Sequence, residues 1–204
     1  MGLRRISNHN GAVSCPSTDR GDAMRISDDR YHGERERMVV ALRFLRHEAR
    51  TQTIRAWTGL SDDRIRKLYR SYLSAVHREL PRHRGKSPHQ AAYFTRSQRL
   101  QEETAALTTT LWLAGVLPAA GVPEAPGSPA ALARATLLCT AFEAYRLARP
   151  EALISFEHTV FLAAALTRGD QLRVEWCGRC GGLTVAETCA LRVRPCQHCS
   201  GAAG

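Results

Sequence analysis

The run Leu60-Ser61-Asp62-Asp63-Arg64-Ile65-Arg66-Lys67-Leu68-Tyr69-Arg70, directly behind Gly59, decides how this chain is read. Ser61 is a helix cap in type, because its hydroxyl oxygen can accept an orphan N–H of the first turn. Asp62 and Asp63 follow where the helix dipole favours negative charge. At about 100° per residue, Ile65, Leu68 and Tyr72 share one face. Arg66, Lys67 and Arg70 centre on the opposite face, with Arg64 at its flank. Upstream, Thr51 to Trp57 predicts a short helix, and Gly59 supplies a turn that tolerates left-handed geometry. A short helix, such a turn and a second helix packed across the first make a helix-turn-helix. Ile54 and Leu60 are then expected to pack inward with Ile65 and Leu68, and the third helix is expected to run to about Ala75. Arg55 departs from that pattern, which usually has a small residue where the helices approach.

The charge around this run is concentrated. Residues 64–99 hold ten Lys/Arg (Arg64, Arg66, Lys67, Arg70, Arg78, Arg82, Arg84, Lys86, Arg96 and Arg99) against one acid, Glu79. That accounts for nearly all of the formal charge of +10 and the pI near 9.8. A focused basic face attracts polyanions, nucleic acid first and acidic membrane second. The candidate DNA contacts are Arg64, Arg66, Lys67 and Arg70 on the helix, with Arg82, Arg84 and Lys86 in the basic loop from Pro81 to Pro88. An arginine there can pair with guanine or hold phosphate. The blander alternative is a solvated amphipathic helix in an arginine-biased chain, whose only lysines are Lys67 and Lys86.

Outward from this region, the expected fold class is mainly α. Residues 1–30 read as a loose polar tail, and 31–117 as a helical DNA-binding region containing the helix-turn-helix. From Glu34 the pattern turns helical, with Met38, Val39, Leu42, Phe44 and Leu45 apolar; Tyr93 to Leu117 is mostly helical. Residues 118–129 carry Pro118, Pro123, Pro126 and Pro129 with Gly121 and Gly127 and read as a linker. Residues 130–168 predict a helical hairpin, Ala130 to Ala148 and Glu151 to Thr167, broken at Pro150. Gly169 ends it, and Leu172 to Trp176 leads as a short strand into a small four-cysteine, zinc-ribbon-like module over 169–204. The apolar runs at 105–117 and 153–166 are too short or too polar to span a membrane.

That module reads Trp176-Cys177-Gly178-Arg179-Cys180-Gly181-Gly182 and, later, Pro195-Cys196-Gln197-His198-Cys199, or C-x2-C-x15-C-x2-C. Each C-x-x-C turn points two thiolates into one space, and two such knuckles complete a tetrahedral shell. Cys177, Cys180, Cys196 and Cys199 are therefore the expected ligands of one structural Zn2+, since four protein ligands leave no open position for catalysis. An iron centre on the same thiolates finds no supporting electron-transfer feature. The rival reading, two disulfides, needs an oxidising compartment. Met1-Gly2-Leu3-Arg4-Arg5 opens on charge without an apolar h-region, so a cytoplasmic chain is expected. His198 lies between two ligands of one knuckle and cannot easily turn to the same ion. Cys189 reads as a small, partly buried thiol, Cys139 as a helix core residue, and Cys15 is isolated.

No catalytic pattern emerges. Arg84-Gly85-Lys86-Ser87 ends like a phosphate-binding loop, but Leu80 stands where its first glycine is needed. Asp62/Asp63 and Glu102/Glu103 are sequence neighbours that leave their helices in different directions, a poor basis for an acid/base pair. There is no Gly-x-Ser-x-Gly elbow. The chain is read as a non-enzyme.

In the order of these features the chain resembles FlhC, the zinc-containing subunit of the bacterial flagellar master transcription activator. Leu60 to Arg70 is similar to that family's helix after the turn, and Ala144-Tyr145-Arg146-Leu147 to its later helix. Gly169 through Cys177, Cys180-Gly181-Gly182 and the Cys196/Cys199 pair match its metal module in order. The likeness spans roughly residues 35–200. Pro88-His89-Gln90-Ala91-Ala92-Tyr93-Phe94 keeps only the proline and aromatic end of a Pro-Phe-Ser-Thr-Asp-Trp-Phe-like stretch of the family, and the cysteine excursion is one residue shorter. The resemblance assigns zinc to the four cysteines. It also implies a hetero-oligomer with an FlhD-type partner that grips double-stranded promoter DNA, recruits RNA polymerase and switches on flagellar genes. Two readings stand beside it: a zinc-ribbon adaptor that binds protein, and a nucleic-acid binder without promoter specificity. An RNA binder is disfavoured by an aromatic content of 6%, which offers few stacking platforms.

Overall fold

In the computed structural model, described for residues 26–73, 85, 87–117, 124–190, 196 and 198–199, six α-helices precede one β-hairpin. The helices are α1 (Ile26–Arg46), α2 (Thr51–Thr58), α3 (Asp62–Leu68), α4 (Gln98–Leu113), α5 (Pro129–Ala148) and α6 (Phe156–Arg168). Strands β1 (Leu172–Trp176) and β2 (Leu183–Glu187) pair antiparallel, Val174 opposite Val185. The fold is mostly helical, as the sequence predicts. Ser61, Ser97, Ser128 and Ser155 each cap a helix by accepting a backbone N–H three residues on. Gly59 and Gly169 end α2 and α6 in the left-handed region, both at φ +68.

Several boundaries differ from the sequence reading. α1 starts at Ile26, inside the segment read as a tail; its first turns are polar and carry no apolar period that would signal a helix. Its inward face is Val40, Ala41, Phe44 and Leu45, while Val39 is 52% exposed. α3 ends at Leu68 and passes into a wider π turn at Tyr69–Leu73. α6 begins at Phe156, not Glu151: Leu153 is held off helical geometry by donating its N–H to buried Glu103 at 2.7 Å. Of the predicted linker, residues 124–129 are docked: Gly127 N–H donates to Trp57 O at 3.0 Å, and Arg37 Nε donates to Gly127 O at 3.2 Å. A Cβ at 127 would stand 2.5 Å from Thr58 O, so glycine is required.

One core runs through all the helices. Phe44 of α1 packs edge-on against Phe156 of α6 at 4.9 Å and Trp57 of α2 at 6.1 Å, and Phe142 of α5 meets Phe156 at 5.3 Å. Across α1 and α5, Glu143 receives Arg43 through both oxygens (2.6 and 3.3 Å) and His47 Nε2 at 2.8 Å. Two buried carboxylates finish the frame. Glu157 of α6 accepts Arg50 N–H (2.8 Å) and Thr53 Oγ1–H (3.0 Å) at the N-terminus of α2. Glu103 of α4 accepts Tyr145 Oη–H (2.9 Å), Leu153 N–H (2.7 Å) and Arg99 Nε–H (3.2 Å). Its neighbour Glu102 is exposed, so the two carboxylates do diverge.

Burial alone would raise the Glu103 carboxyl, but the bonds from Leu153, Tyr145 and Arg99 outweigh it and hold the group below its ordinary 4.5. A carboxyl lowered by folding contributes stability that is full above its unfolded pKa and lost as pH falls through the folded one. Glu103→Leu strands a buried N–H and O–H and is expected to cost roughly 2–4 kcal/mol. Urea unfolding at pH 7 measures this, and the gap between wild type and variant should shrink below about pH 4.

Candidate metal centre and cationic helix face

β1 delivers Cys177 to the knuckle at the end of the hairpin. Cys177 N–H donates to Gly182 O and Gly181 N–H to Cys177 O, both at 2.8 Å, closing a turn that brings Cys180 back beside Cys177. Gly181 adopts φ +68, and a Cβ on Gly182 would press to 3.2 Å from Cys180 Sγ. Both glycines are therefore part of the sulfur geometry. The second knuckle closes through Cys199 N–H to Cys196 O at 3.0 Å, and Arg179 Nη1 reaches across to Cys199 O at 3.0 Å.

The four sulfurs lie within 4.8 Å of one another, with Cys180 and Cys196 Sγ 3.4 Å apart. A tetrahedral shell with metal–sulfur bonds near 2.3 Å spaces its sulfurs by about 3.8 Å, inside that range. All four cysteines are free, and a disulfide would need a separation near 2.05 Å. The spacing thus brings Cys177, Cys180, Cys196 and Cys199 into one possible metal site. Cys189, expected to be partly buried, is exposed, and it lies 3.9 Å from Glu187. His198 is exposed between its two ligands. Cys139 is fully buried in α5, with its thiol pushed up to about 12 by desolvation.

The N–H groups of Cys196, Arg179 and Cys180 converge on Cys177 Sγ and lower that thiol to about 6. Cys199 is raised to about 12 by its bonds to the Cys180 and Cys196 sulfurs. Cys196 is raised too: the Cys199 N–H lowers it, but the neighbouring Cys180 and Cys177 sulfurs and desolvation prevail. Beside the cluster, α4 and β2 enclose a cavity of about 710 Å³ lined by Arg96, Arg149, Glu102, Leu183, Val185 and Cys180, among others.

On α3, Ile65 and Leu68 are buried and Arg66 and Lys67 are exposed on the opposite side, with Arg64 exposed at the flank, as the periodicity predicts; Arg70, expected on the same helix face, is exposed in the π turn that follows. The turn before it is tied by Thr58, which donates to Ile54 O at 2.7 Å and accepts Leu60 N–H at 3.3 Å. Arg55 is exposed and bridges the turn to Asp62 at 3.6 Å, which removes it from the helix contact where a small residue was expected. The sequence reading missed two pairings: Arg64 with Glu34 of α1, and Arg66 with Asp63 at 3.0 Å. Lys67 has no acidic partner among the described residues. Arg82, Arg84 and Lys86 of the basic loop lie outside the described residues. No helix among the described residues is long and apolar enough to cross a membrane. The chain matches no protein-family model and no curated protein.

Thiols must lose their protons to bind a metal, so affinity falls as pH falls. Cys177→Ser is expected to abolish stoichiometric metal, whereas Cys189→Ser retains it; elemental analysis of the purified variants reads both. Full metal content in the Cys177 variant would mean that the four sulfurs are not one site.

Proposed function

We propose that this chain is a DNA-binding subunit of a bacterial transcription activator similar to FlhC, with no enzymatic role. In this reading α2 and α3 are a helix-turn-helix, and α3 lays its cationic face on promoter DNA. The observation that carries it is the exposure of Arg64, Arg66 and Lys67 on α3 and of Arg70 in the turn after it, with Ile65 and Leu68 buried. Arginine on an outward helix face suits guanine edges and phosphates alike. Zn2+ is the ion best suited to a closed, four-sulfur shell, and Cys177, Cys180, Cys196 and Cys199 hold it. Its contribution is to fold the hairpin module rather than to activate a substrate. The chain acts beside an FlhD-type subunit, contacts RNA polymerase and serves flagellar genes.

The adaptor reading keeps one specific support. Arg64 and Arg66 are already engaged by carboxylates, and Trp112 and Trp176, 41% and 58% exposed, meet edge-on at 6.0 Å beside the metal knuckle. Exposed tryptophans are frequent anchors of protein interfaces. Against it, exposed ion pairs are worth about 0–1 kcal/mol and exchange readily for phosphate.

Co-purification with the FlhD-type protein of the same organism, followed by titration onto flagellar-promoter and scrambled duplexes at two salt concentrations, tests the proposal. The complex is expected to prefer the promoter. Lys67→Gln should weaken binding and reduce the slope of log K against log salt by about one. Failure to co-purify, with no salt-dependent duplex binding, would hand the lead to the adaptor.

A further inference from the structure

The unneutralised cations of the described surface do not all lie on α3. Arg96, at the bend before α4, is exposed and has no acidic partner among the described residues. Its guanidinium lies over the Tyr93 ring at 4.7 Å, and Tyr93 stacks in turn on His158 of α6 at 4.0 Å with the planes 22° apart. His158 is fixed from its other side by Ser155, whose Oγ lies 2.8 Å from Nδ1. Arg50 is near: burial first, then the Arg50 charge, with Arg96 as a smaller influence, hold His158 below its ordinary pKa, and only Glu157 acts the other way. Arg50 itself keeps Nε and Nη1 enclosed without an acceptor. Enclosed cationic N–H groups are costly unless an anion or acceptor meets them. The one carboxylate in the group, Glu157, is buried and occupied by Arg50 N–H and Thr53 Oγ1.

Position gives this cluster its meaning. Arg50 stands at the N-terminus of α2, whereas the turn and α3 follow the C-terminus of the same eight-residue helix. At 1.5 Å per residue α2 is about 12 Å long, so Arg50 and the turn into α3 stand at opposite ends of a short rod. Tyr93 holds the Arg96 guanidinium over its ring, so less rotamer freedom is lost when a phosphate is engaged. Among the described residues no carboxylate is paired with Arg96, in contrast to Arg64 and Arg66.

We propose that the Arg96–Tyr93–His158 stack, backed by Arg50, is a second contact point for the phosphodiester backbone of duplex DNA, at the opposite end of α2 from α3. This rests on the DNA-binding reading above and extends it to a part of the chain that lies outside the helix-turn-helix. The contact is sequence-blind. It fixes how the duplex is oriented and leaves any base reading to α3.

The test compares wild type, Arg96→Gln and Arg96→Lys, all as the full metal-loaded chain, in titrations with a short scrambled duplex across a range of salt. Arg96 is exposed, so both variants are expected to fold, and thermal melts check this. Arg96→Gln should lower affinity roughly five-fold at about 0.15 M salt and reduce the salt slope by about one, while Arg96→Lys keeps the slope. The imidazole resonances of His158 should move on adding duplex. An Arg96→Gln titration that overlays a DNA-binding wild type overturns this contact and leaves the α3 reading intact. A wild type without duplex binding overturns both. His158 shifts produced equally by inorganic phosphate, with the duplex unaffected by Arg96→Gln, would make the cluster a small-anion site instead.

Discussion

The buried carboxylate of Glu157 is the constraint on which the arrangement of this protein turns. It belongs to α6, yet both oxygens serve the N-terminus of α2, accepting Arg50 N–H and Thr53 Oγ1–H. An isolated buried carboxylate is very costly, and this one is tolerable only because its acceptors are filled. In return it satisfies an orphan N–H that no intrahelical partner could reach. Because α6 runs on through Gly169 into β1, and α2 runs on through Gly59 into α3, the clamp links the metal hairpin to the cationic helix. Glu103 repeats the device on the other flank, holding the end of α5 and the chain before α6 to α4. A helical protein of this size could rely on apolar packing alone; two filled carboxylates fix which helix ends meet.

The hairpin could not stand by itself. A two-stranded ribbon is marginal in water, and neither strand of this one buries much: along β2 every residue is half-buried. It is held from three directions: by α4, against which β2 packs; by Thr95, whose Oγ1 donates to Glu187 at 2.6 Å; and by the sulfur cluster at its tip. Sulfur cluster and helix are thus complementary supports for one small element, and Trp176 stands where they meet, one residue before Cys177 and against Trp112 of α4.

What the sequence disclosed, and what it withheld, follows from the range of the interactions involved. The cysteine spacing was legible because the knuckles are closed by bonds between near neighbours, Gly181 to Cys177 and Cys199 to Cys196. The caps at Ser61 and Gly59 and the outward face of α3 were legible for the same reason. Of the apolar face read on α1, Phe44 and Leu45 are buried and Met38 and Leu42 pack against the core; only Val39 fails, being exposed, while Val40 and small Ala41 take core positions the pattern did not signal. The start of α6 could not be read, because what delays it is Glu103, fifty residues upstream in sequence. β2 was not anticipated as a partner for β1. The pairing of Arg64 with Glu34, and the stacking of Arg96, Tyr93 and His158, are products of the fold alone. No local pattern announces them.

The peptide at Gly127 and the clamp at Glu157 carry a consequence for how the chain must assemble. Arg37 reaches Gly127 across 90 residues, Arg43 reaches Glu143 across 100, and Arg50 reaches Glu157 across 107. Helical proteins usually fold fast because their contacts are local, but these are not, and loops of that length must close before the contacts reward them. During synthesis, α1, α2 and α3 leave the ribosome well before α5 and α6 exist to cover Phe44 and Trp57. Helices α1 to α3 are therefore obliged to wait, with their aromatic face unpartnered, until α5 and α6 have been translated.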